Sequence, residues 1–121
     1  VHLQIFNLMY AKTDTDAFSG IFGGDIPAEV EKELVAEYGK ELSVDFYKAN
    51  HHGSKYSGSK EWLEALSPRW AAVSCAAENR YGHPADEAME RLTDAKCRIF
   101  YTMESGQIKY KESAIYENNR Q

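Results

Sequence analysis

Apolar positions along the chain switch between a period of two and a period near 3.6, and that switching predicts a layered α/β domain. VHLQIFNLMY alternates well enough for a strand. AKTDTDA is polar and reads as a loop or hairpin turn. FSGIFGGD is apolar with interleaved glycines, as in a buried strand entering a tight turn. Gly23 and Gly24 there let the backbone pass close to a neighbour. Pro27 suits the first turn of a helix, and AEVEKELVAEYG places Val30, Leu34, Val35 and Tyr38 on one face with Gly39 as its C-cap.

ELSVDFYKA reads as the next strand, with Val44, Phe46 and Lys48 alternating. NHHGSKYSGS follows as a polar loop, and Ser59 is a natural N-cap for KEWLEAL, which buries Trp62, Leu63 and Leu66. RWAAVSCAA is a continuous apolar run, the pattern of a strand covered on both faces. ENRYGHP is a second polar loop. Pro84 then opens the helix ADEAMERLTDA, with Ala88, Met89 and Leu92 inward. CRIFYTM is a strand, ESGQ a turn, and IKYKESAIY one or two further strands. The predicted order is β-β-α-β-loop-α-β-loop-α-β-β, without repeats or linkers, so residues 1–121 form a single domain.

Composition narrows the function. The 121 residues are 43% hydrophobic and 27% charged, as in a globular domain. A net charge of -5 argues against a protein that coats nucleic acid with a basic surface. A metal-assisted nuclease stays open, because a bound cation changes the local field. Cys75 and Cys97 lack Cys-x-x-Cys partners, so free thiols in apolar strands are expected rather than a zinc ribbon. No run reaches 18 apolar residues, so no transmembrane helix is predicted; the compartment stays open.

Three polar loops follow three strands and carry Asp25, the His51-His52 pair and His83. If the strands are sheet neighbours, these side chains converge beyond the strand ends. Imidazoles with a carboxylate suit zinc, or manganese or iron. Each residue also has a plain reading: Asp25 as a turn or cap residue, His51, His52 and His83 as loop residues. No local spacing is a complete metal site.

GGDIP, NHHGSKYSGSKEWLEALSPRWAAVSC, NRYGHP and GQI, taken in order, resemble the second half of a metallo-β-lactamase-fold hydrolase. The nearest subgroup is the competence-type (ComEC-like, DNA-internalisation) hydrolases and their free-standing relatives. The resemblance runs from Phe18 to Tyr110. It implies the C-terminal half of an αββα sandwich, a mixed sheet with helices on one face. It also implies metal-dependent hydrolysis of a phosphodiester or related ester, with two divalent ions in the complete enzyme. Asp25 matches the carboxylate expected to bridge two metals. His51 matches the late histidine ligand, because related hydrolases keep one His there before a bulky residue, Gly and Ser or Thr. His52 then faces substrate or supports the ligands. His83 matches the Tyr-Gly-His-Pro histidine, a phosphate contact or proton donor to the leaving group. Ser54 and Asn79 match donors to substrate phosphate.

The departure from that pattern is the absence of the His-x-His-x-Asp-His cluster. The chain also opens without Met, already inside strand-like sequence. We therefore expect the C-terminal part of a larger domain, inactive when isolated and needing its missing N-terminal half, or else self-associating. The competing expectation is a non-catalytic interaction or oligomerisation domain on the same fold. Glu29, Glu31 and Glu33 read as a solvated helix face.

Overall fold

A computed structural model of the chain describes residues 2–7, 10–14, 19–75, 82–102, 107–111 and 114–118. The order is β1 (His2–Asn7), β2 (Tyr10–Asp14), β3 (Ser19–Phe22), α1 (Ala28–Tyr38), β4 (Phe46–Lys48), α2 (Lys60–Leu66), β5 (Trp70–Val73), α3 (Asp86–Asp94), β6 (Arg98–Tyr101), β7 (Gln107–Lys111) and β8 (Ala114–Asn118). The fold is α/β, as the alternation predicts. One six-stranded sheet runs β1-β2-β3-β4-β5-β6, and β7 pairs with β8 as a separate hairpin. β3 through β6 are parallel, while β1-β2 and β2-β3 are antiparallel, so the sheet is mixed.

Spatial order follows chain order, and that has a consequence for the layers. Crossovers between parallel strands share one hand, so crossovers that all step the same way leave their helices on the same face. The core agrees. Leu34 of α1, Trp62, Leu63 and Leu66 of α2 and Leu92 of α3 join one cluster with Ile21, Tyr47, Ala71 and Val73 of the sheet. Register explains the selection: Ile21, Tyr47, Ala71 and Ile99 sit side by side across β3 to β6. Alternate residues face the other way, as period two demands. Trp62, Tyr47, Ile21 and Leu66 are essentially inaccessible; burying an aliphatic side chain such as Ile21 or Leu66 contributes ~2 kcal/mol.

Caps follow their chemistry. The Ser59 hydroxyl accepts the Trp62 N–H at 3.2 Å, and Gly39, at φ 50°, donates its N–H to Val35 O. The Pro27 carbonyl accepts the N–H groups of Val30 and Glu31. Four details differ from the sequence reading. AKTD belongs to β2, a polar strand at the antiparallel end of the sheet. β4 begins only at Phe46, because residues 39–42 form a 3-10 turn that buries Leu42; Tyr47, not Phe46, meets the core. α3 begins at Asp86, two residues after Pro84. Cys75 and Cys97 are free and half-buried, just outside β5 and β6. Among the described residues no helix is long and apolar enough to cross a membrane.

Candidate functional site

Parallel strands end at the same edge of a sheet, so the loops leaving β3, β4 and β5 emerge together. The β3 loop turns through Gly23-Gly24-Asp25. A Cβ on Gly23 would run into the side chain of Asn50, so glycine is what allows the two loops to touch. The contact is sealed by a backbone bond, His51 N–H to Gly24 O, at 2.7 Å. Asp25 is thereby carried beside the histidine turn.

That turn has an uncommon backbone. His51 (φ 51°, ψ 42°) and His52 (φ 54°, ψ 30°) are both left-handed. For a residue with a Cβ this costs ~1 kcal/mol or more each, and it persists where surrounding contacts over-determine it. Those contacts are present. Asn50 N–H donates to the Tyr47 hydroxyl at 2.9 Å. Ser54 N–H donates to His51 O at 2.9 Å, and Ala85 N–H to Gly53 O at 2.8 Å. Gly53, at φ 80°, leaves no room for a Cβ against Pro84. The last two contacts bring the His83-Pro84 segment onto the turn, and the rings of His51 and His83 meet edge to face at 5.4 Å.

His52 Nδ1 lies 2.6 Å from Ser74 O, just beyond β5. A carbonyl only accepts, so the neutral ring carries its proton on Nδ1 and leaves the Nε2 lone pair available. This is the arrangement usual behind an imidazole that binds a metal or a proton. Burial lowers the His83 pKa below its ordinary 6.5, with His51 and His52 adding to the effect and Asp25 opposing it. His83 thus lies against His51, and the charges of His52 and Asp25 act on it from nearby.

A cleft of about 350 Å³ opens beside this group, lined by Ser54, Lys55 and Tyr56 on one side and His83 to Glu87 on the other. Ser54 is buried, and its hydroxyl accepts the Tyr56 N–H at 3.2 Å. Tyr56 is 67% exposed, with Lys55 Nζ 5.2 Å from its ring centre. Asn79 lies outside the described residues.

The donor chemistry is right for a borderline cation, one carboxylate and three imidazoles. Its closure is not: among the described residues, no three His, Cys, Asp or Glu side chains are placed to hold a metal ion.

Two residues of this region escaped the sequence reading. Glu31, assigned there to a solvated face, is fully buried. Its Oε2 accepts from Asn50 Nδ2 at 2.8 Å and from Gly58 N–H at 2.6 Å, and its Oε1 from Ser59 N–H at 2.9 Å. Arg91 completes the loop from the other side, donating to the carbonyls of Gly58, Ser57 and Lys55 at 2.8, 2.9 and 3.0 Å. The signal was positional. Glu31 falls three and four residues before Leu34 and Val35, on the apolar stripe, and Arg91 lies between Ala88 and Ala95 on theirs.

No established family profile matches the chain. It is similar to two competence proteins. Against "ComE operon protein 3" of Bacillus subtilis it is 33% identical over 98 residues, 81% of this chain and 12% of the relative. Against "Competence protein ComA" of Neisseria gonorrhoeae it is 32% identical over 87 residues, 72% of this chain and 13% of the relative. It also aligns with the "Uncharacterized protein YcaI" of Escherichia coli, 24% identical over 103 residues, 14% of that relative. The chain is therefore related to competence proteins and spans about an eighth of their length.

Proposed function

We propose that this chain forms one wall of the active site of a metal-dependent phosphodiester hydrolase built on a metallo-β-lactamase-type sandwich. The observation that carries this reading is the gathering of Asp25, His51, His52 and His83 at one sheet edge beside a polar cleft. A four-stranded parallel layer with all its helices on one face is compatible with half of such a sandwich. Relatedness to competence proteins favours DNA as the phosphodiester.

In this reading Asp25 and His51 hold divalent cations, zinc first and manganese or iron as alternatives. The donors that complete the two-ion site come from polypeptide outside this chain. A cation held there supplies Lewis-acid charge that brings the pKa of a water toward neutrality. The chain's own residues bind and orient. His83 faces the substrate phosphate and passes a proton to the leaving oxygen; its lowered pKa makes it a ready donor once protonated. His52, held by Ser74 O through Nδ1, keeps Nε2 for substrate or for supporting the ligands. Ser54 and Asn79 serve the substrate phosphate.

Calorimetric titration of the chain with zinc or manganese tests the assignment. We expect weak binding that Asp25→Ala and His51→Ala each abolish. Tight binding untouched by both substitutions sinks it. A second reading, a non-catalytic interaction domain, draws on the sheet face away from the helices. There Phe22 is 39% exposed, with its ring 5.9 Å from that of Phe46. A folded chain that takes up no metal favours that reading.

A further inference from the structure

We propose that Glu31 is a positioning residue for the histidine pair, acting through Asn50; the proposal rests on the hydrolase reading of the site. The two side chains form a buried relay from α1 to the turn. Glu31 is 0% and Asn50 1% exposed, and their carboxylate and carboxamide are 2.8 Å apart. Asn50 immediately precedes the two left-handed histidines, and its backbone N–H is separately fixed on Tyr47. A buried carboxylate without donors is costly, so it settles where donors are supplied. Here all three donors come from residues 50, 58 and 59, none from α1 itself. One helix residue therefore holds both ends of the loop that begins with the histidines.

Geometry gives the relay its direction. The Asn50 side chain lies directly over Gly23, where even a methyl group would collide with it. Its Oδ1 has no hydrogen-bond partner, so Nδ2 to Glu31 is the polar tie that orients the amide. With the amide fixed there, His51 N–H meets Gly24 O and His51 comes to lie against His83. Without the tie the amide is free to turn toward other partners. The left-handed pair then loses one of the constraints that hold it.

Proton NMR of the metal-free chain tests this alongside zinc titration. The ring pair of Tyr47 and Trp62, 6.5 Å apart in the core, reports the fold. The His51–His83 ring contact reports the site. In Glu31→Gln we expect the Tyr47–Trp62 cross-peak to persist, the His51–His83 cross-peak to vanish, and zinc affinity to fall at least tenfold. Asn50→Ala leaves Glu31 its two backbone donors and cuts only the relay, so it should lose the histidine cross-peak as well. It carries the test if Glu31→Gln fails to fold. Ser57→Ala removes a buried bond of the same loop, Oγ to Ile26 O at 2.7 Å, outside the relay; it should keep the cross-peak. An intact histidine cross-peak and unchanged zinc affinity in Asn50→Ala overturn the proposal. Wild-type chain that shows both cross-peaks and binds no zinc overturns the hydrolase reading while leaving the relay to stand on the cross-peaks.

Discussion

The ten residues from Asn50 to Ser59 have two sides, and the sides differ in how completely their polar groups are matched. Toward α1 and α3 the Glu31 carboxylate takes N–H groups while the Arg91 guanidinium takes carbonyls. Gly58 is bonded from both, its N–H to Glu31 and its carbonyl to Arg91. On its other side the same stretch presents Ser54, Lys55 and the exposed Tyr56 to the cleft, with His83 facing them across it. The lesson is one of division of labour. An irregular loop carries many backbone polar groups, which must find partners when buried. This loop meets that demand with one acid and one base on its inner side, and so keeps a defined shape while His52, Lys55 and Tyr56 on its outer side stay open to solvent.

The largest test of that contrast removes the base. Arg91→Ala leaves three loop carbonyls without their charged donor, of which the Lys55 one is most open to water. We expect a loss of ~3 kcal/mol, since bonds to charged groups contribute ~1.5 kcal/mol or more apiece and solvent recovers part. Urea unfolding measures it. A loss below ~1 kcal/mol would mean the inner side is not held as described.

A smaller effect is expected where the two sides join. Gly53 has φ 80° and a Cβ there would sit 2.8 Å from Pro84 Cβ. Gly53→Ala should cost ~2 kcal/mol, from left-handed strain and from pushing Pro84 away. Because His83 precedes Pro84, the same change should separate His83 from His51. Loss of the His51–His83 ring contact with the Tyr47–Trp62 contact intact is the expected NMR outcome.

Much of the outer side was legible in the sequence and the inner side was not. Asp25, the histidine pair and His83 are conspicuous because they are chemically distinctive and follow strands. Reading them as one group required only that the strands be neighbours, which β3, β4 and β5 are. Glu31 was misread because charge was weighed above phase: it sits among three glutamates, and only its position on the Leu34–Val35 stripe separates it from Glu29 and Glu33. β2 was missed for a related reason. AKTD lacks apolar alternation, yet it pairs along its whole length with β3. Partner strands supplied the hydrogen bonds that its own composition does not advertise.

The smallest test is an acid titration of the outer side. Burial, with His51 and His52, holds the His83 pKa below 6.5, while Asp25 pulls the other way. Folding therefore favours the neutral ring. A group whose folded pKa is depressed contributes stability that is fully present above its unfolded value. That contribution is lost as the pH falls through the folded value. Urea midpoints should be level above about pH 7.5 and drop on acidification below 6.5. Substituting His83→Gln should flatten part of that drop, and Asp25→Asn should steepen it, because the one attraction that offsets the two neighbouring imidazoles is removed. A His83→Gln curve parallel to that of the wild type would show that folding does not hold the His83 ring in its neutral form.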